Sequence, residues 1–461
     1  MKTYPSRVIR RRGSERRALS GVACLQMILS AFAAEAQEAP PRPFVPEAAE
    51  VDRKVFRTPE YQGNWGLALH HFDAAYARGA TGQHVRLGEF DTGVYVQHPE
   101  FAGVDFLSLP GIGSGNAPSY GADNRPEYHG THVAGIMIAR KDGIGMHGGA
   151  YGVTQFYAHY FSGGGPSSVK AASHHGLVDF INHSYGYSFF NYAIDTGRMV
   201  NGVRTKSGPS ISNVAFNRSN SRMASLAQTG TVMVNSAGND RYYAAYNPPT
   251  NKSDHRPRLF RGIHAAPGDA LAPTELARSK TYSDADWRRV EKNYITSVML
   301  DGNGEISSYS NICGVAKYYC VGTAGGFLDE PHDSREVAAP TVPDGMTLDR
   351  YVPDESGQKY LYYPINGPTM PSGQYKIMST SVLSTAPAGA SLDEVKASLA
   401  PAYRMANGTS MSAPLLTAAL AVTKSRFPYL ENWQIRDTVL TTADDVGAPG
   451  IDRVYGWGMV N

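Results

Sequence analysis

Short apolar runs that end on small or turn-forming residues alternate along this chain with stretches whose apolar positions recur every three or four residues. His84 to Phe90 reads as a strand that stops at Asp91-Thr92-Gly93, where glycine lets the chain turn sharply. Leu177 to Ser184 and Thr231 to Asn235 repeat that form, the second stopping at Ser236-Ala237-Gly238-Asn239. Trp65 to Ala77, His129 to Arg140, Met223 to Gln228, Ser410 to Arg426 and Trp433 to Thr442 have the spacing of helices. Tyr294 to Leu300 and Glu305 to Tyr309 flank Asp301-Gly302-Asn303-Gly304, a hairpin signal. Strands alternating with helices imply an α/β domain with a mainly parallel sheet covered on both faces. Such sheets carry their sites at the carboxyl ends of strands. Asp91, Ser184 and Asn239 each follow a strand and are expected on one edge.

Three segments depart from the alternation. Residues 327–402 hold nine prolines, which excludes a run of core helices and reads as a large surface insertion before the Ser410 helix, with a hairpin around Gly357. Residues 37–60 hold five prolines without apolar periodicity, the pattern of a linker, so the folded domain is expected over 61–461. In residues 1–36, Lys2, Arg7, Arg10, Arg11, Arg12, Arg16 and Arg17 precede an apolar run from Ala18 to Ala34 and the small residues of Ala34-Glu35-Ala36. That order is a secretory signal peptide and makes export the expectation.

Composition fits a large globular enzyme: of 461 residues, 42% are hydrophobic and 18% charged, enough to bury a full core. The formal net charge of +2 comes from the first 36 residues, whose seven Arg/Lys and two Glu leave the remainder at −3. No nucleic-acid partner is therefore expected. Beyond the signal, Cys313 and Cys320 are an even pair, which in an exported protein reads as a disulfide stapling a local turn.

Chemistry concentrates in Glu89-Phe90-Asp91-Thr92-Gly93, His129-Gly130-Thr131-His132-Val133-Ala134-Gly135 and Asn407-Gly408-Thr409-Ser410-Met411-Ser412-Ala413-Pro414. Together, in that order, they resemble the three active-site signatures of the subtilase family of serine peptidases. The resemblance spans nearly all of Asn64 to Asn461 and is closest to the protease passengers of bacterial autotransporters. Thr58 to Tyr61, Ala75 to Gly82 and the Cys313 to Cys320 segment resemble theirs. It implies a subtilisin-like three-layer α/β sandwich that cleaves internal peptide bonds of polypeptides. Ser410 would be the nucleophile, His129 its general base and acid, and Asp91 the group that orients the imidazole. Val234-Asn235-Ser236-Ala237-Gly238-Asn239 resembles the strand ending in the oxyanion-hole asparagine, which assigns Asn239 as side-chain donor. Ile181-Asn182-His183-Ser184-Tyr185-Gly186 resembles the strand that pairs with extended peptide. Ser184, Tyr185, Gly186, Ala237 and Gly238 are thereby substrate-binding candidates, with Tyr185 standing where the family has an aliphatic residue.

The resemblance also implies a place outside the cell or on a bacterial surface, either as a passenger shortened before its outer-membrane barrel or as a freely released relative. The chemistry needs no cofactor and no metal site is expected. Structural calcium is common in the family, and the turn Lys141-Asp142-Gly143-Ile144-Gly145 lies where a calcium loop would, but it offers one carboxylate where calcium takes six or more oxygens. Glu89, where the family has an aliphatic residue, is expected to be paired in the core without a catalytic role. Two rival readings meet obstacles in the residues. An aspartic protease would need two triplets like Asp91-Thr92-Gly93 and Asp195-Thr196-Gly197, each followed by serine or threonine, and here Val94 and Arg198 follow. An adhesin on a dead peptidase scaffold would be expected to have lost one of Asp91, His129, Ser410 and Asn239, and all four stand.

Overall fold

Strand β1 (Arg86–Asp91) is buried along five of its six residues and β4 (Phe180–His183) along all four, so both faces are covered at the centre of the sheet. The computed structural model describes residues 51–108, 113–160, 177–185, 199–200, 203–204, 227–239, 284–307, 310–326, 351–353, 359–361 and 376–461. With β2 (Asp105–Leu107), β3 (Gln155–Tyr160), β7 (Val232–Ser236), β8 (Tyr294–Leu300) and β9 (Cys320–Ala324), these strands form one seven-stranded sheet in the order β2-β3-β1-β4-β7-β8-β9. Every pairing within it is parallel. Two antiparallel pairs are formed, β5 (Met199–Val200) with β6 (Val203–Arg204) and β10 (Tyr351–Pro353) with β11 (Lys359–Leu361); Gly357, where a hairpin is expected, lies outside the described residues.

Leu87, Ala158, Val234 and Ile295 share one sheet face and enter a single apolar cluster with Val133, Ile136 and Met137 of α4 (His129–Ile138) and Met411, Leu415 and Leu416 of α7 (Thr409–Arg426). Helix α7 is buried from Met411 through Val422 without a polar face, as a helix central to a layered domain must be. Helix α8 (Asn432–Thr441) packs beside it. Among the described residues, no helix is long and apolar enough to cross a membrane.

Four expectations change. The helix expected over 65–77 is two, α2 (Trp65–Leu69) and α3 (Phe72–Ala77), because His71 adopts φ 52° and His70 turns inward. There His70 Nδ1 meets the Val460 carbonyl at 2.6 Å and its Nε2 accepts the Ala324 N–H at 2.8 Å. Of the strand expected at 305–309, residues 305–307 show a single bridge between Leu300 and Ile306, and 308–309 lie outside the described residues. The turn itself closes, with Asp301 N–H on the Glu305 carbonyl at 2.8 Å.

The last part of the expected insertion is an ordered strand pair, its first strand buried against the body and its second largely exposed. Strands β12 (Ile377–Ser384) and β13 (Leu399–Ala406) form an antiparallel pair, joined through α6 (Leu392–Ala397). Ser379 Oγ and Thr380 Oγ1 of β12 each donate at 2.7 Å to carbonyls of α4, those of His132 and Thr131. Seven of the nine prolines precede residue 376, so averaging over 327–402 hid this boundary. The expected linker is likewise folded from residue 51: a 3-10 turn (Arg53–Phe56) and α1 (Pro59–Gly63) lie against the body, with Asp73 bonded to Arg53 at 3.0 Å and Arg57 at 2.8 Å. Residues 1–36, most of the helix expected at 223–228 and the Asp195 triplet fall outside the described residues. The remaining helix, α5 (Asp284–Lys292), precedes β8.

Candidate active site

β1, β4 and β7 are adjacent and parallel, so Asp91, Ser184 and Asn239 emerge side by side at their carboxyl ends, as expected. His129 and Ser410 join them from the first turns of α4 and α7. Close glycine contacts set these entries: a Cβ on Gly130 would lie 2.5 Å from the Gly93 carbonyl oxygen, and Gly408, at φ 144°, admits only 3.2 Å to Asn239 Nδ2.

The Asp91 side chain is 2% exposed, and its Oδ1 accepts the Thr92 N–H at 2.7 Å and faces His129 Nδ1 at 2.6 Å. A carboxylate only accepts, so Nδ1 carries the proton and Nε2 is left as the basic nitrogen. Burial opposes a charge on His129, but the Asp91 carboxylate, through its charge and hydrogen bond, and Glu127 raise the imidazole above its ordinary pKa. The ring keeps 27% of its surface open.

Ser410 Oγ does not bond His129. It donates to the Ser184 carbonyl at 3.0 Å, and Ser184 Oγ donates in return to the Ser410 carbonyl at 2.9 Å. Pro414 explains the return bond: it has no N–H to give the carbonyl four residues earlier, which frees the Ser410 oxygen for Ser184. Asn182 Nδ2 completes the link by donating to Ser184 Oγ at 2.8 Å.

Asn239 Oδ1 accepts from the Thr409 N–H at 2.8 Å and from Thr409 Oγ1 at 2.9 Å. A backbone N–H can only donate, so this contact fixes the amide orientation and leaves Nδ2 as the outward donor. The Ser410 N–H belongs to the first turn of α7, whose amides lack helical partners and lie at the positive end of its dipole. Two donors are thus available near Ser410.

At Ala237 and Gly238 the backbone polar groups are all engaged within the fold. Ala237 N–H bonds the Ser297 carbonyl and Gly238 N–H bonds Thr409 Oγ1, both at 2.9 Å. Asn311 takes the two carbonyls, through Nδ2 on Ala237 at 3.0 Å and through its N–H on Gly238 at 2.9 Å. Tyr185 stacks on His183, centroids 5.6 Å apart at 16°, and Gly186 lies outside the described residues. Asn182, Asn311, Thr409 and Ser412 were missed by sequence reasoning. Thr409 and Ser412 sit in the quoted Ser410 motif, whereas nothing linear marks Asn311.

Glu89 corrects the expected pairing. It is fully buried, and neither carboxyl oxygen has a hydrogen-bond partner among the described residues. Burial first, and the charge of Asp91 second, push its pKa well above the carboxylate range, so the group is a neutral acid. The calcium turn does not fit a cation. Asp142 Oδ1 accepts the Ile144 N–H at 3.0 Å, and its Oδ2 pairs with Arg140 at 3.1 Å. Buried Glu60 is filled by the N–H groups of Asp142 and Gly143 at 2.8 and 3.0 Å. Among the described residues, no group of three or more His, Cys, Asp or Glu is arranged to hold a metal. The disulfide is present between Cys313 and Cys320, with Cα atoms 5.7 Å apart.

Residues 82–458 match the profile of the subtilase family, and the chain belongs to it. It is 27% identical over 436 residues to an extracellular serine protease of Serratia marcescens, a match covering 88% of this chain and 34% of that protein. With serotype-specific antigen 1 of Mannheimia haemolytica it shares 34% identity over 178 residues, 37% of this chain and 12% of that one. A 54-residue stretch, 12% of this chain and 5% of the relative, is 44% identical to the Neisserial autotransporter lipoprotein NalP of Neisseria meningitidis serogroup B. The chain therefore spans about a third of the Serratia protein's length and less of the other two.

Proposed function

We propose that the chain is an exported serine endopeptidase that cleaves polypeptides through an acyl-enzyme on Ser410. The observation that carries this reading is the buried Asp91 carboxylate on His129 Nδ1, which leaves Nε2 basic beside a helix that presents Ser410. An extended substrate lies along the edge after β4, and its N–H takes the Ser184 carbonyl from the Ser410 hydroxyl. Rotation of that side chain then turns Oγ to His129 Nε2.

Oγ attacks the scissile carbonyl carbon while Nε2 accepts its proton. The carbonyl oxygen becomes an oxyanion held by the Ser410 N–H and Asn239 Nδ2. As the C–N bond breaks, Nε2 returns the proton to the departing amine. Water, deprotonated in turn by His129, attacks the ester and restores Ser410. Residues 1–36 act as the export signal, and the stretch shared with a named autotransporter supports action at a bacterial surface or beyond it.

Labelling with a fluorophosphonate tests the site: the wild type should react at Ser410, and Ser410→Ala should neither label nor cleave. A Ser410→Ala protein that still turns over peptide would end this reading. The acid limb of kcat/KM checks the base. Protonated His129 cannot accept the serine proton, so activity falls as pH drops through the His129 pKa. With that pKa raised, half-loss is expected above the ordinary imidazole value of about 6.5. N-terminal sequencing of the exported protein checks the signal, with a start after Ala36 expected.

A further inference from the structure

Strand β13 runs directly into the Ser410 motif and carries Arg404, whose exposed side chain is anchored at both ends. Its guanidinium lies over the Tyr128 ring, 3.8 Å from the centroid. Beneath it, buried His132 donates Nε2–H to the Arg404 carbonyl at 3.0 Å, and its ring meets that of Tyr128 edge to face at 6.3 Å. A planar cation held this way gives up little freedom when it binds an anion. Among the described residues no carboxylate forms an ion pair with it. Glu127, the acid next to Tyr128, acts through its charge on His129.

The position gives this cation a task. Tyr128 precedes His129 at the cap of α4, so Arg404 bridges the segments bearing the base and the nucleophile. His129, next to Tyr128, meets Asp91 at the end of β1, whereas Ser184 and Asn239 follow β4 and β7, the next strands of the sheet. Resting on the function proposed above, the acyl half of the substrate lies along β4 and β7. The departing half, which receives its proton from His129, passes Tyr128 and Arg404.

We infer that Arg404, held flat on Tyr128, selects substrates with an acidic side chain in the first two residues after the cleaved bond. The test uses peptides identical except for Glu, Gln or Lys at each of those positions, with rates expressed per Ser410 labelled by fluorophosphonate. Absence of labelling would count against the peptidase reading; labelling without a charge preference would count against this inference alone. At low salt the wild type should favour Glu over Lys by about tenfold in kcat/KM, the scale of attraction gained plus repulsion avoided at a half-solvated site. The ratio should shrink as salt rises. Arg404→Met should bring it close to one, Arg404→Glu should invert it, and Arg404→Lys should keep part of it. A wild type without a Glu preference, or a preference that survives Arg404→Met, overturns the inference. Should Arg404→Met fail to fold, a Glu preference indifferent to salt overturns it as well.

Discussion

The two flanks of the site treat buried polarity in opposite ways. Behind Ser410, the hydroxyls of Ser297, Thr323 and Ser412 lie 2.6 to 2.7 Å from one another, and the Ser412 carbonyl accepts from Thr323 Oγ1 at 2.7 Å. This cluster ties the first turn of α7 to β8 and β9 with its donors and acceptors matched. On the other flank, β1 buries Glu89 and Asp91 on one face, and both Glu89 oxygens and Asp91 Oδ2 lack hydrogen-bond partners among the described residues. Matched hydrogen bonds fix where the serine sits. Burial first, and the neighbouring Asp91 second, raise the Glu89 pKa and favour its neutral form.

Removing the side-chain amide beside Ser410 should have the largest effect. Asn239→Ala removes Nδ2 and the acceptor for Thr409, and kcat is expected to fall about 10²- to 10³-fold with KM little changed. Unchanged kcat would take Asn239 out of the chemistry. Next comes Ser412→Ala, which strips buried partners from Ser297 and Thr323 and should cost about 1–3 kcal/mol in denaturant unfolding, with turnover per labelled site preserved. Lost turnover at full stability would show that the cluster acts on Ser410 rather than on the fold.

Glu89→Gln should be the mildest and should keep peptide cleavage. Its effect on stability has a definite sign. The folded pKa lies above the unfolded value, so the unfolded chain releases this proton first, and stability drains as pH climbs from the unfolded pKa towards the folded one. The neutral amide removes that loss, so the variant should gain melting temperature over the wild type at pH 7 and little at pH 4. Abolished cleavage in a folded Glu89→Gln protein would make the side chain part of the reaction.

Linear order revealed the strand ends and helix starts that gather Asp91, His129, Ser410 and Asn239, because each lies where an apolar run meets a turn. It did not reveal pairing across the fold. That β8 is flanked by β7 only as far as Ser297 and by β9 from Thr296 to Leu300 depends on strands distant in sequence. Ser379 and Thr380 look like surface hydroxyls until α4 offers them carbonyls. Glu89 was rightly placed inside, but its state depended on a partner that only three dimensions could supply or withhold. Pro414 looked like a motif letter, while its missing N–H is what lets Ser184 grip the Ser410 backbone.

The grip of Glu60 on the amides of Asp142 and Gly143 has a bearing on where trimming can stop. A chain cut ahead of Arg53 would retain this latch and the Asp73 ion pairs. A cut beyond Glu60 would unfasten the turn that follows the histidine-bearing helix.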